Sequence, residues 1–204
     1  MPSYKLYYFN LRARAELIRL VLAATETPYE DIRISNWAEQ KETIKPPCGQ
    51  LPVFEVDGVR LCQSLAIARL VARNTGLSGD NPVDEARADM IVDCAKDIMD
   101  ETISILWDKD ATRKAERLKV FNSEKLPKQL GYLENFLVEN GGEWFVGKRL
   151  NWADLAVPDV IKFLESNNHP IPWSDLPKME AHRKKVEAIP AIAKYIAARP
   201  ETVR

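Results

Sequence analysis

Gln63 and Ser64 stand where an anion-binding site could form. They separate the β-rich run Val59–Cys62 from an apolar helical run that begins at Leu65. Ser64 is therefore predicted to be a helix N-cap. A helix N-terminus offers free N–H groups and the positive end of the helix dipole, so it can bind a carboxylate or a phosphate beside the Gln side chain. The segment predicts a binding corner for a small anionic or peptide-like ligand.

A predicted β-hairpin positions this corner. Asp57–Gly58 lies between the β-rich runs Val53–Val56 and Val59–Cys62. A type I′ turn needs positive φ at both central residues, which this pair tolerates. Pro52 stands at the mouth of the first strand, where its missing N–H costs least. The Leu51–Pro52 bond is a candidate for a cis peptide.

Cysteine and histidine residues are few and scattered. Cys48, Cys62 and Cys94 have no metal-ligand spacing and form an odd set, so we expect reduced thiols rather than a disulfide framework. His169 and His182 are isolated in the sequence, so we expect no His-based metal site.

The composition is that of an ordinary globular protein. Its 204 residues are 46% hydrophobic and 29% charged, enough for one large domain or two small ones with real cores. A net charge of −1 argues against a nucleic-acid or anionic-membrane partner held by bulk electrostatics. The sequence shows no apolar run of transmembrane length and no basic-then-apolar leader, so we expect a cytoplasmic protein.

The first part of the chain predicts an α/β domain. Tyr4–Phe9 has the composition of a strand, apolar residues from Ala13 follow helical spacing, and Tyr29–Ile34 alternates as a second strand. That order predicts a βαβ unit with parallel strands and a right-handed crossover. A short helix over 37–45, the hairpin and the helix after it complete a βαβαββα domain over residues 1–75.

The rest of the chain predicts an all-helical domain. Residues 76–82 are polar, with Gly and Pro, and form a predicted linker. Residues 83–204 contain no convincing strand pattern. Apolar residues from Ala86 to Ile105 follow the stripe of one long helix. Pro127, inside a later helical pattern, predicts a kink or a break.

Four motifs, in order along the chain, resemble the cytosolic glutathione transferases of the sigma class. The βαβαββα order with Pro52 before the third strand resembles their thioredoxin-like domain. Tyr8–Glu16 resembles the sigma-class signature, and Gln63–Arg69 resembles the glutathione-binding strand-to-helix motif. Asn151–Leu155 is similar to the capping box of the helical domain, where Ser or Thr is the more usual cap. The resemblance covers the whole chain and implies a transferase with glutathione as co-substrate.

The resemblance implies that Tyr8 is the catalytic hydroxyl. Glutathione's thiol resembles free cysteine, with a pKa of about 8.5, so only a minority is thiolate near neutral pH. A phenol that donates to the sulfur favours the thiolate, and each lowered pKa unit needs about 1.4 kcal/mol, within reach of one or two hydrogen bonds. Arg14 matches a family arginine near the sulfur. From the residues alone, Tyr8 is better explained as a packing aromatic, like Tyr4 and Tyr7.

The resemblance also assigns the contacts to glutathione. Gln63 and Ser64 match the γ-glutamyl contacts, and Gln50 matches a contact to the glycyl end. If the Leu51–Pro52 bond is cis, the Leu51 N–H and C=O turn outward and can pair with the cysteinyl backbone like an added strand.

Three more residues are implied in glutathione binding. Trp37 and Lys41 would contact the glycyl carboxylate, although the loop around them departs from the family's lengths. Asp97 matches a residue that reaches the glutathione of the partner subunit, which implies a two-fold homodimer. Lys96 replaces an acidic residue that helps prostaglandin D synthase relatives bind a divalent cation, so we expect no metal here.

The electrophile pocket is expected between the domains. The residues that would line it come from the start of the first helix and from the long helix of the second domain. They are Phe9, Leu11, Ala13, Arg14, Met99 and Trp107.

Two alternatives to conjugation follow from the same resemblance. One is a glutathione-dependent isomerase acting on a prostaglandin endoperoxide, but Trp107 lies about one turn later than the aromatic of those relatives. The other is a non-catalytic lens crystallin or a carrier of hydrophobic ligands. Lens relatives carry a long insertion after the first long helix, whereas Trp107 to Leu118 is predicted to be an ordinary connection here.

Overall fold

The computed structural model describes residues 3–202, which form two compact units. The first unit contains the residues up to Thr75 together with those from Ile189 onward, and the second unit is Gly76–Ala188. Residues 189–204 were predicted to belong to the helical domain, whereas the described residues from Ile189 onward group with the first unit. Positions 1, 2, 203 and 204 of the predicted domains lie outside the described residues.

Four strands form the sheet of the first unit, in the order β2-β1-β3-β4. They are β1 (Tyr4–Phe9), β2 (Glu30–Ile34), β3 (Val53–Val56) and β4 (Val59–Cys62). Strands β1 and β2 are parallel, as the predicted βαβ unit requires, and β3 is antiparallel to both β1 and β4. Asp57 and Gly58 have φ values of 48° and 85°, which confirms the hairpin turn with two positive φ angles.

Helices make up most of the remaining chain. They are α1 (Ala13–Ala24), α2 (Trp37–Ile44), α3 (Ser64–Asn74), α4 (Pro82–Leu106), α5 (Ala111–Val120), α6 (Leu126–Glu139), α7 (Trp152–Ser166), α8 (Pro177–Glu187) and α9 (Pro190–Ala198). In the first unit, α1 packs against both α3 and α9. The α/β architecture followed by a helical region is therefore confirmed.

Helix α5 corrects one expectation. The segment from Trp107 to Leu118 was predicted to be an ordinary connection, but most of it is helical. The helix was missed because its residues are mostly polar and charged and none of them is buried, so few apolar residues mark it. Its start is instead stabilised by Asp110, whose side chain accepts from the Arg113 N–H at 3.0 Å.

The irregularity predicted at Pro127 takes the form of a π-helical turn. Phe121–Lys125 forms this turn between α5 and α6, directly before the first residues of α6. Proline has no N–H to donate to the preceding turn, which removes an α-helical hydrogen bond, and π turns occur as single-turn bulges inside α-helices. The helix therefore widens where a break had also been possible.

Helix α7 is the buried centre of the second unit. Nearly every residue from Trp152 to Leu164 is buried, and α7 packs against α4. The predicted capping box is confirmed: the Asn151 side chain accepts from the Ala153 N–H at 2.9 Å, and Asp154 accepts from the Asn151 N–H at 2.8 Å.

Replacing the cap of α7 should destabilise the second unit. The Asn151 amide also donates to the Val146 carbonyl at 3.1 Å in a buried setting. We expect Asn151→Ala to lower the free energy of unfolding by about 1–2 kcal/mol, measured by urea denaturation. Asn151→Ser, which keeps a capping acceptor, should recover most of that loss. Equal stability of the parent and Asn151→Ala would contradict the role of the cap.

Candidate active site

Tyr8 lies near the end of β1 with its ring buried, next to the first turn of α1. The backbone N–H of Arg14 donates to the Tyr8 hydroxyl. This N–H belongs to the first turn of α1, where backbone donors lack partners inside the helix. Because its oxygen accepts from the helix, the phenol keeps its own proton free to point at another group.

The acidity of Tyr8 favours the protonated phenol. Burial raises its pKa, while the hydrogen bond from Arg14 and the charges of Arg14 and Arg19 oppose that rise, and the pKa stays above its ordinary value. At neutral pH the side chain is therefore a hydrogen-bond donor and not a phenolate. Such a donor stabilises an anion placed against it.

The turn between β1 and α1 is anchored from two sides. Arg19 donates from Nη1 to the Leu11 carbonyl at 2.8 Å, and Arg33 donates from Nη1 to the Asn10 side chain at 2.9 Å. Ala13 has a φ of 32°, a conformation that is rare for a residue with a side chain. Outliers of this kind cluster at functional sites, where the surrounding structure holds them in place.

A buried ionic network lies behind this turn. Arg19 is fully buried and donates from Nε and Nη2 to Asp31 at 3.2 Å, with Glu16 at 3.5 Å. Glu16, also buried, accepts from the Tyr195 hydroxyl at 3.1 Å and from Arg199 at 2.6 Å. The network joins α1, β2 and the end of α9. The network was not predicted from the sequence. The only sequence signal for it is the i,i+3 spacing of Glu16 and Arg19, which is typical of an ion pair on a helix.

Predicted glutathione contacts on the α2 and β3 segments lie close together. The Leu51–Pro52 bond is cis, as the sequence analysis anticipated. Leu51, Phe9 and Trp37 all pack against one small core cluster, formed by Ile34, Ile44 and Val53. The rings of Phe9 and Trp37 meet edge to face at 5.9 Å between centroids.

The strand-to-helix corner differs in one detail from its prediction. Ser64 was predicted to be the N-cap, but α3 begins at Ser64 and the cap residue is Gln63. Gln63 has a φ of 72°, so the chain turns one residue earlier than the serine pattern suggested. Ser64 thus lies in the first helical turn, among the N–H groups that make a helix N-terminus suited to carboxylates.

The other predicted site residues are placed as follows. Arg14, Leu11 and Ala13 are half-buried, whereas Lys41 and Gln50 are exposed. In the second unit, Asp97 is exposed on α4, Met99 is buried, and Trp107, directly after α4, is 76% exposed.

One cavity lies at the start of α1 and was not anticipated. Its volume is about 330 Å³, within the range of small-molecule pockets. The lining comes from the cap of α1 and from the last described residues: Arg12, Ile196, Arg199, Pro200, Glu201 and Thr202. No motif marks these residues, because they meet only through a contact between opposite ends of the chain.

The described residues contain neither a cluster suited to a metal ion nor a helix that could span a membrane. Among residues 3–202, no group of three His, Cys, Asp or Glu side chains is arranged to hold a metal ion. Over the same range, no helix combines the length and the apolarity needed to span a membrane.

The chain is similar to glutathione S-transferases along its whole length. Family models of the glutathione S-transferase N-terminal and C-terminal domains match residues 4–73 and 96–199. The chain is 42% identical to hematopoietic prostaglandin D synthase of Gallus gallus over 99% of both chains. The solved structure of rat hPGDS complexed with a quinoline superposes with a TM-score of 0.88, at 36% identity over all of both chains. A monomeric glutathione S-transferase of the hookworm Necator americanus gives 0.85, at 38% identity over 98% of both.

Proposed function

Because the chain belongs to the glutathione S-transferase family, we propose that it transfers the thiolate of glutathione to small hydrophobic electrophiles. The observation that carries the proposal is the state of Tyr8. Its hydroxyl accepts from the first turn of α1, and its raised pKa keeps the phenol protonated. A protonated phenol can donate to sulfur, which is what a thiol needs in order to lose its proton near neutral pH.

The reaction then follows from thiolate activation and proximity. Tyr8 donates to the glutathione sulfur, and the Arg14 charge near that hydroxyl adds favourable electrostatics. The sulfur forms a bond to an electrophilic carbon or oxygen, and the leaving group departs or a proton adds. Soft acceptors such as activated aromatic halides, enals and hydroperoxides suit a thiolate. No covalent bond to the enzyme is needed.

Glutathione would lie along the corner formed by β3 and α3. The γ-glutamyl carboxylate would meet the N-terminus of α3 through Ser64 and Gln63. Leu51, which directly precedes β3 and its cis Pro52, would pair with the cysteinyl backbone. The glycyl carboxylate would be contacted by Trp37, Lys41 and Gln50.

Removing the Ser64 hydroxyl should weaken glutathione binding. A hydrogen bond to a charged acceptor contributes about 1.5–3 kcal/mol, so we expect Ser64→Ala to raise the Kd for glutathione about 10- to 100-fold. Isothermal titration calorimetry measures this directly. Ser174→Ala, at an exposed serine of the second unit, is the matched control and should leave the Kd unchanged. An unchanged Kd in Ser64→Ala would remove Ser64 from the site.

The electrophile would contact residues at the start of α1. Phe9, Leu11, Ala13 and Arg14 lie on or beside the turn that presents Tyr8, and the cavity lined by Arg12 and the C-terminal residues adds volume there. From the second unit, Met99 and Trp107 remain proposed contributors. The lining includes the charged residues Arg12, Arg199 and Glu201, which favours electrophiles that carry a polar group.

We also propose a homodimer in the cytoplasm, with Asp97 reaching the glutathione of the partner subunit. Asp97 is exposed on α4, as such a role requires. The hookworm relative described as monomeric shows that a close structural match can lack this assembly. Sedimentation equilibrium distinguishes the two states: a monomer at micromolar concentration would overturn both the dimer and the role of Asp97.

A paired assay tests the transferase proposal. Glutathione binding is measured by calorimetry, and conjugation is measured with a chromogenic aromatic halide. We expect binding together with turnover that depends on enzyme concentration. Tight binding without turnover toward halides, enals or hydroperoxides would favour the non-catalytic carrier on the same scaffold.

The second candidate is a glutathione-dependent prostaglandin isomerase. It is favoured by the 42% identity to a protein named hematopoietic prostaglandin D synthase. Position 96 argues against the isomerase, because prostaglandin D synthase relatives are expected to carry an acidic residue there. In this chain it is Lys96, which forms an ion pair with Asp100 on α4. Incubation with a prostaglandin endoperoxide and glutathione, followed by chromatography of the products, tests whether the protein has this isomerase activity. Formation of a D-type prostaglandin above the spontaneous rate would establish the isomerase.

A further inference from the structure

Cys48 and Cys62 bring two thiols together beside the proposed glutathione site. Their sulfur atoms are 2.8 Å apart, although the residues are 14 positions apart in the chain. Cys48 lies in the exposed turn between α2 and β3, and Cys62 is the last residue of β4. A disulfide bond is about 2.05 Å long, so little movement separates this pair from a covalent link.

Independent contacts hold the two segments against each other. Arg60, two residues before Cys62, donates from Nη1 to the Ile44 carbonyl at the end of α2. The same side chain donates from Nε to Glu55 at 3.0 Å, which fixes its direction. Within the turn, the Gly49 N–H donates to the Pro46 carbonyl at 3.0 Å. The approach of the sulfurs is therefore part of the folded arrangement rather than a chance meeting of two surface side chains.

The two thiols differ in exposure. Cys48 is exposed, so an oxidant in solution can reach its sulfur. Cys62 is half-buried, and its pKa is raised first by its hydrogen bond with Cys48 and then by burial. Near neutral pH, Cys62 therefore keeps its proton. The greater exposure of Cys48 assigns the first attack to Cys48 and the second to Cys62.

We propose that Cys48 and Cys62 form a redox-active dithiol that glutathione disulfide oxidises to an intramolecular disulfide. In the first step, the Cys48 thiolate attacks one sulfur of glutathione disulfide, giving a mixed disulfide and one glutathione thiolate. In the second step, the Cys62 sulfur attacks Cys48 Sγ, releasing the second glutathione, which takes up the Cys62 proton. The protein loses two electrons and two protons, and one glutathione disulfide becomes two glutathione molecules.

The position of the pair suits this oxidant. Cys48 lies two residues before Gln50, and Cys62 directly precedes Gln63, so each thiol adjoins a segment proposed to bind glutathione. The choice of oxidant rests on the proposed function, whereas the pairing of the two sulfurs does not. The Cys48–Cys62 disulfide would covalently join the turn between α2 and β3 to the end of β4.

Thiol counting and mass spectrometry test the proposal on the whole protein. Of the three cysteines, two should be lost to thiol reagents after treatment with glutathione disulfide, without a stable gain of glutathionyl mass. Peptide mapping under non-reducing conditions should give one linked pair, Cys48 with Cys62. Cys94→Ser is the matched control and should close the same bond. A link that includes Cys94, or no loss of thiols, would overturn the proposal.

Two further variants separate the roles of the thiols. Cys62→Ser should trap one glutathionyl group on Cys48, because the resolving thiol is gone. Cys48→Ser should react at least about tenfold more slowly, because the exposed attacking sulfur is gone. Stable glutathionylation of the unmutated protein, or equal rates in Cys48→Ser and the parent, would contradict these assignments.

A parallel arm keeps this test independent of glutathione recognition. The small disulfide 2-hydroxyethyl disulfide replaces glutathione disulfide, so that closure is measured without any glutathione site. We expect the same linked pair to form. If closure occurs here while the conjugation assay fails, the pairing stands and the transferase proposal falls. If it fails with both oxidants, the dithiol itself is refuted.

Discussion

Tyr8→Phe is expected to keep the fold and to lose about 10- to 100-fold in kcat/KM for conjugation near pH 7. The substitution removes only the hydroxyl, which accepts from the Arg14 N–H and is free to donate to the sulfur. A hydrogen bond to a charged acceptor contributes about 1.5–3 kcal/mol, and that stabilisation is lost from the thiolate. The ring and its packing remain, so thermal unfolding should change little.

The pH profile of this variant gives a sharper test than a single rate. Because burial holds the Tyr8 pKa above its ordinary value, the phenol donates across the whole neutral range. In Tyr8→Phe, the glutathione thiol must ionise with a pKa near its solution value of about 8.5. The activity deficit should therefore shrink as the pH rises toward and above that value.

The matched control for this experiment is Tyr7→Phe. Tyr7 lies on the same strand and packs against the small core cluster, and no chemical role is assigned to its hydroxyl. Its kcat/KM should stay within about twofold of the parent. A Tyr8→Phe deficit that is absent, or constant from about pH 6 to pH 9.5, would refute thiolate stabilisation by Tyr8.

Arg19→Leu is expected to cost about 3–5 kcal/mol of unfolding free energy, the largest stability effect among these substitutions. Arg19 is fully buried between Asp31 and Glu16, so its removal leaves two carboxylates without their shared cation. It also removes the donor that holds the Leu11 carbonyl beside Tyr8. We therefore expect lower activity as well as lower stability.

Arg33→Leu serves as the comparison for the buried arginine. Arg33 also pairs with Asp31, at 2.9 Å, but its side chain is partly exposed to solvent. Solvent screening should limit the loss of unfolding free energy in Arg33→Leu to about 1 kcal/mol or less. Urea unfolding followed by both circular dichroism and tryptophan fluorescence measures the two variants and shows whether the units unfold together. Equal losses in the two variants would contradict the importance of burial.

Local signals explain why much of the first unit could be predicted. The parallel β1–β2 pair follows from strand, helix, strand order, and the hairpin follows from Asp57–Gly58. The Leu51–Pro52 bond and the capping box at Asn151 also depend on neighbouring residues. Features of this kind depend on residues that are close together in the sequence, so they can be recognised without knowledge of tertiary contacts.

Long-range packing explains the rest. No sequence pattern marks that Glu16 meets Tyr195 and Arg199, or that Arg199 lines an open pocket with Arg12. The surface helix α5 has few apolar residues and buries none of them, so the pattern on which helix prediction depends is weak there. The N-cap of α3 is Gln63 and not the predicted Ser64, because Gln63 adopts a positive φ and the helix begins one residue earlier than expected. Nothing in the residue type of Gln63 indicates that conformation. The contact of Cys48 with Cys62 likewise needs the turn and the strand in place.

The ionic network around Glu16 has a consequence for the order in which the protein can be completed. Tyr195 and Arg199, which donate to Glu16, lie 179 and 183 residues after it. During synthesis the second unit emerges from the ribosome before these two donors do. The buried carboxylate of Glu16 therefore lacks these two partners until the whole second unit has been synthesised. The first unit therefore cannot complete its buried ionic network before the second unit has been synthesised.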